Sequence, residues 1–232
     1  MVRGTVKPAA CGRLSDALRA FIADAAFPCV GAKGALAHDA IQIQEYGALG
    51  SRANDAPLLR ALTGFAAFVE QRPSDDATLH SFAAVFAGPL ATDERRFEAL
   101  LWAQLQRLHD LDVRAGSRWA SDVSDDPADA HFSLSLAGQP LFVVGLHPGA
   151  SRQARRFGWP ALVFNPHRQF QRLRADGRYE KLQAAIRPRD VDLQGSINPN
   201  LADFGQASEA RQYSGRAVEP GWQCPLRVRK GR

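Results

Sequence analysis

Residues 141–174 read LFVVGLHPGASRQARRFGWPALVFNPHRQFQRLR, and the reading of the whole chain turns on them. Leu141 to Leu146 is apolar at consecutive positions, as expected of a strand covered on both faces. It runs into a His147-Pro148-Gly149 turn and a basic loop with Ser151, Arg152, Arg155 and Arg156. A second apolar strand, Ala161 to Phe164, follows, and Asn165-Pro166-His167 opens a helix. Two strands therefore deliver two similar turns, each with a histidine. A rigid sheet holds polar groups at its strand ends better than a free loop does, so the working site is expected there.

Outward from this block, Phe132, Leu134 and Leu136 alternate with small or polar residues and Gly138 turns the chain, which predicts a hairpin into Leu141 to Leu146. Toward the N-terminus, Leu14, Leu18, Phe21, Ile22 and Ala25 recur at helical spacing up to Pro28. FPCVGAKGAL, residues 27–36, is broken by Pro28, Gly31 and Gly34 and predicts a tight connector around Cys29. Ala40 to Tyr46 and Thr78 to Ala87 predict strands. Asp55 and Pro57 begin a helix running to Gln71, and Thr92 caps another that carries Phe97, Leu101, Leu105 and Leu108. Residues 110–129 are polar and predict a long surface connection. After Asp176-Gly177, a helix with Leu182 and Ile186 is expected to kink or stop at Pro188. From Gln194 onward periodicity is lost, and such a segment persists only by packing on an existing surface.

This pattern predicts one α/β or α+β domain over residues 13–227, with a mixed central sheet of about five strands covered by helices. Residues 1–12 read as a loose N-terminal end and 228–232 as a basic tail. The length of 232 residues suits a single core, since such cores grow to roughly 250 residues. Net charge is +5, but the positive charge gathers between Ser151 and Arg189, where ten basic residues face only Asp176 and Glu180. An anionic ligand is expected to meet that region. The three cysteines have no regular spacing and no secretory leader is evident, so a reducing cytoplasm is the expected home. No apolar run approaches the roughly 20 residues that cross a bilayer. Zinc-spaced cysteines, a P-loop and a dinucleotide fingerprint are all missing, and no aromatic RNA-binding motif accompanies the arginines.

His147 stands out as a ligand or base candidate because its backbone is fixed by a strand end, and His167 has the same setting one strand later. Cys29 lies where a thiolate can face a metal, with Lys33 near enough in sequence to lower its pKa; its other reading is a small buried hydrophobe. Ser151, Arg152, Arg155 and Arg156 are close enough to converge on one carboxylate or phosphate, or else form a solvated face. Asp203 and Glu209, with Asn198 and Asn200, suit a cationic substrate; capping or solvation is the alternative for each. His38, His80, His109 and His131 are expected at the surface.

FPCVGAKGAL, the block from LHPGASRQARR through IRPRD, GSINPNLADFGQASEARQYSG and the closing WQCP together resemble the YqcI/YcgG family, from about Leu18 to Pro225. Similar members include haem-dependent N-hydroxylases acting on guanidino compounds in cycloserine and guanitoxin biosynthesis. The resemblance implies a monooxygenase that uses haem b, dioxygen and external electrons to hydroxylate nitrogen in arginine or a related guanidine or amine. It also implies a separate reductase as electron donor. On that footing Ser151, Arg152, Arg155 and Arg156 are the expected holders of the haem propionates. His147 is the first candidate for the iron ligand, then Cys29, then His167, and Asp203 and Glu209 would position the substrate. The alternative, from a different class, is a haem-binding or anion-binding protein without turnover.

Overall fold

The computed structural model describes residues 13–73, 75–200 and 205–229. Five strands form one mixed sheet: β1 (Ile41–Ala48), β2 (Ser81–Gly88), β3 (Leu134–Leu136), β4 (Gln139–Leu146) and β5 (Ala161–Pro166), in the order β1-β2-β5-β4-β3. Only β1 and β2 pair in parallel, joined by a crossover helix; the other pairs are antiparallel. The described helices are α1 (Leu14–Ala23), α2 (Val30–Ala37), α3 (Asp55–Glu70), α4 (Glu94–Arg114), α5 (His167–Ala175) and α6 (Arg178–Gln194). The fold is a single α+β domain, as the residue pattern predicts. No helix among the described residues is long and apolar enough to cross a membrane.

The period of two along each strand sorts side chains between two layers. Phe82, Ala84 and Phe86 of β2, Leu141 and Val143 of β4, and Leu162 and Phe164 of β5 pack under α3 and α4, against Leu58, Leu62, Phe65, Phe97, Leu101 and Leu105. The alternate residues face the other way. Ala83, Val85, Leu146 and Ala161 join Leu18 and Ile22 of α1 and Ala35 of α2 in a second, smaller cluster. α4 comes very close to β4 at Gly145, where a Cβ would stand 2.7 Å from the Phe97 ring and 2.9 Å from the Tyr213 carbonyl. Any side chain there would push the main helix off the sheet.

Three local expectations change. FPCVGAKGAL is a helix from Val30, because the Cys29 sulfur caps it by accepting the Ala32 N–H at 3.4 Å. The helix expected from Thr92 is capped instead by Asp93, which accepts the Arg96 N–H, and runs to Arg114, shortening the polar connection. α6 continues through Pro188 to Gln194. Pro188 and Ala184, whose carbonyl loses its partner, are both exposed, so water takes the missing hydrogen bond.

The C-terminal segment packs as its lack of periodicity requires. Tyr213 is fully buried, stacked beside Trp102, and its hydroxyl receives the Leu134 N–H. Arg216 is tied to Glu98 of α4 at 2.7 Å. One histidine expected at the surface is not there: His109 is buried and its Nε2 accepts the Arg229 N–H; His80 is half-buried and contacts Asp76 at 3.0 Å. Replacing Gly145 with alanine is expected to destabilise the domain by about 1–3 kcal/mol through overpacking against Phe97. Urea unfolding measures this, and an unchanged midpoint would contradict the packing described.

Candidate functional site

A mainly apolar cavity of about 380 Å³ lies on the α1/α2 face of the sheet; a second opening of about 490 Å³, beside Glu70, Asp122 and Arg168, is shallower and lined mostly by polar residues. The floor of the apolar cavity is the layer of side chains that alternation turns away from α4: Ala83, Val144, Leu146 and Val163, joined by Ile41. Leu18 and Ile22 of α1, Cys29 and Ala32 at the start of α2, and Tyr179, Leu182 and Ile186 of α6 form the walls. The size lies within the range of pockets that enclose a small ligand or cofactor.

Strand register gives the cavity two chemically different ends. Leu146 pairs with Ala161 and Phe142 with Asn165, so the loop after Leu146 and the residues around Asn165 lie at opposite ends of the floor. At the Asn165 end, the Ser81 hydroxyl donates to Asn165 Oδ1 at 2.7 Å, and Gln169 exchanges two hydrogen bonds with the His80 backbone. These are neutral groups. At the loop end, Arg152 and Arg155 line the wall together with Arg187 and Asp190 of α6. Arg152 is only 7% exposed; it is paired with Asp190 and donates to the Ser196 hydroxyl at 3.2 Å. Arg155 donates to the carbonyls of Gly145 and Tyr213. Loss of surrounding water lowers the Arg155 pKa to about 10, with Arg152 acting in the same sense and Asp190 against it, so the guanidinium stays charged at neutral pH.

Cys29 reaches the cavity wall from the cap of α2. Burial pushes its thiol pKa up, while the N–H groups of Ala32 and Gly31 pull it back. Lys33, expected to act on the thiol, donates instead to the Ala25 carbonyl at 3.1 Å. The net effect is upward, so the half-buried sulfur favours the neutral thiol, and a thiolate there would need a bound cation to share its charge. Among the described residues no three His, Cys, Asp or Glu side chains gather as a bare metal site would need.

The remaining sequence candidates go elsewhere. His147 does not line the cavity. It carries the parity of Val143 past the strand end, and its ring stacks on Phe97 of α4 with centroids 4.2 Å apart and planes inclined by 19°. Neither ring nitrogen has a hydrogen-bond partner. His167 is buried with its Nδ1 3.3 Å from Glu209, whose other oxygen accepts from the Ser133 and Tyr213 hydroxyls at 2.8 and 2.6 Å. Glu209 and His167 therefore belong to a network that pins the C-terminal segment to β3 and β4, away from the cavity lining. Ser151 is exposed, and its hydroxyl donates to Glu94 at 2.7 Å; Arg156 braces its own loop through the Ala150 and Ser151 carbonyls. Asn198 lines the cavity, whereas Asn200 is bonded to Arg216 and Val218. Asp203 lies outside the described residues.

Sequence reading missed Asp190 and the cavity face of α6. Tyr179, Leu182, Ile186 and Asp190 share the i, i+3, i+7, i+11 spacing of one helical face, a signal hidden when the helix is ended at Pro188.

Desolvation in its apolar niche lowers the His147 pKa to about 4, opposed by Glu94 and reinforced by Arg155. The unfolded chain, with an ordinary imidazole near 6.5, then takes up the proton first. Stability is expected to fall as the pH drops from about 6.5 to about 4, by up to roughly 3 kcal/mol, and His147→Phe should flatten that slope. Urea titrations of both proteins across this window test it, and identical slopes would contradict the buried neutral ring.

In comparison with known proteins, the model of the YqcI/YcgG family fits residues 18–227. Neither the curated proteins nor the solved structures contain a match. The fit spans most of the chain and includes the Cys29 helix, the arginine loop and α6, and on that coverage the chain belongs to the YqcI/YcgG family.

Proposed function

We propose that the cavity holds haem b and that the protein is a haem-dependent monooxygenase, hydroxylating nitrogen in a guanidino or amino compound such as arginine. One observation carries the reading: a partly covered, mainly apolar cavity has a half-buried thiol on its wall and arginine guanidinium groups gathered at one end. Haem is an apolar disc with an axial coordination site and two carboxylates on one edge, and this lining is complementary to each part. Arg152 and Arg155 would hold the propionates. Cys29 would be the axial ligand, ahead of His147 and His167, which lie outside the lining.

When bound, haem supplies the activation of dioxygen with external electrons, which come from a separate reductase. The protein's own residues bind, orient and exclude water. Leu18, Ile22, Val144 and Leu182 keep the site dry. The N–H groups of Ala32 and Gly31 stabilise negative charge on the Cys29 sulfur. Asp190 is the carboxylate among the described lining residues, and in place of Glu209 it is the group suited to a cationic substrate.

The ionisable groups among the described lining residues are arginines, Asp190, Cys29 and Tyr179, a set suited to holding a charged ligand, with the chemistry carried by the cofactor. The same set also supports the second reading, a haem-binding protein without turnover, which differs only in giving no product.

Protein supplied with hemin is expected to develop a Soret band, and its ferrous carbonyl complex the red-shifted band of thiolate ligation. Cys29→Ser should abolish that shift. Arg152→Ala should weaken hemin binding about tenfold, the equivalent of 1.4 kcal/mol for one lost ionic contact. Mass analysis of arginine incubated with loaded protein, oxygen and a reductant should show a gain of one oxygen. Absence of any Soret band would overturn the haem reading; a band without product from a panel of guanidines and amines would leave the binding protein.

A further inference from the structure

We infer that helix α6 is a hinged gate over the cavity, held shut by the Arg152–Asp190 pair and opened when an anionic ligand takes Asp190's place on Arg152. The inference concerns access to the cavity of the proposed function. It requires a ligand with a carboxylate or similar anion, of which haem is one case.

The first observation is that α6 covers the cavity without being built into the core. None of its 17 residues is buried, although Tyr179, Leu182 and Ile186 face inward. Helices α1, α3, α4 and α5 are each fastened by at least one buried leucine, such as Leu18, Leu58, Leu101 and Leu173, worth roughly 1.5–3 kcal/mol apiece, and short α2 buries Ala35. α6 has no such anchor, because its inward face meets open space. Local opening draws on elements with few buried apolar contacts.

The second observation lies at its ends. Gly177 and Gly195 flank the helix with φ of 72° and 78°, and a Cβ at either position would meet nothing within 4 Å. Both junctions therefore sit in open space, in a backbone region that glycine leaves freely. Pro188 removes one rung of the helix's own ladder near its C-terminal end.

The third observation is that, among the described residues, Asp190, Leu193 and Gln194 at the end of α6 are tied to one short loop. Asp190 pairs with Arg152, Gln194 accepts the Gln153 N–H at 2.8 Å, and Gln153 donates to the Leu193 carbonyl at 2.7 Å. The same Arg152 lines the anion end of the cavity. A ligand carboxylate arriving at Arg152 replaces one carboxylate by another, so the buried guanidinium never loses its partner and the heavy cost of an unpaired buried charge is avoided. Asp190 is freed by the same exchange, and the helix end moves during entry; with the ligand seated, α6 lies back over it and Asp190 is available to a cationic substrate.

The test is a reversible lock. In Gln153→Cys/Gln194→Cys the two thiols replace side chains that bond across the latch in both directions, and oxidation ties α6 to the loop. Uptake is followed by stopped flow with two probes, hemin by absorbance and 1-anilinonaphthalene-8-sulfonate by fluorescence. The oxidised protein, its disulfide verified by mass, should take up both at least tenfold more slowly, and dithiothreitol should restore the rate. Asp190→Asn, which releases the latch without a lock, should speed uptake and raise amide hydrogen exchange in residues 178–194. Unchanged rates in the verified disulfide form, or unchanged exchange in Asp190→Asn, would overturn the gate. Gated uptake of the fluorescent anion with no Soret band from hemin would uphold the gate and remove haem. Hemin binding at a rate indifferent to the lock would keep haem and remove the gate.

Discussion

Alternate residues of a strand point to opposite faces, and in β4 that simple constraint divides the molecule. Leu141, Val143 and His147 belong to the layer under α4, closed by Phe97 lying on Gly145. Val144 and Leu146 belong to the layer that α1, α2 and α6 cover incompletely. One layer is packed solid and supplies stability. The other keeps a void, and the loop that leaves β4 brings its arginines to the end of that void.

The arginine loop serves both sides. Arg155 holds the Gly145 and Tyr213 carbonyls, fastening the C-terminal segment, while Arg152 faces the cavity from beside it. A guanidinium anchored by fixed backbone and neighbouring hydroxyls loses little freedom on meeting a ligand, which is the physical content of a prepared anion site. Cys29 is prepared in another way: the helix start that it caps holds N–H groups against its sulfur, at the cost of burying a thiol.

Much of this fold is legible from local pattern. The alternation of Phe132, Leu134 and Leu136, the apolar run of β4 and the Phe97-Leu101-Leu105 stripe locate the hairpin, a strand covered on both faces and the main helix, and the structure has each. Of the residues that the sequence singles out, Arg152, Arg155 and Cys29 line one cavity, while His147 and Glu209 lie outside that lining, because closeness along the chain says nothing about which face of the sheet a side chain takes. Parity with Val143 was available as a signal for His147. Nothing local marks Glu209 as the partner of Ser133, since that contact spans 76 residues; its other partner, Tyr213, is four residues on. Pro188 hides α6 for a different reason: a proline on an exposed helical face costs one hydrogen bond that water replaces.

On the proposed reading, the void on the even-numbered face of β4 is the place a ligand would take. The most direct measurement is a hemin titration of the native protein beside Val144→Phe, a substitution that fills the cavity floor from a position away from α4. The account predicts saturation near one haem per chain in the native protein, and loss of binding in the variant with its fold retained by circular dichroism. Equal binding by both proteins would place the ligand elsewhere and contradict the account.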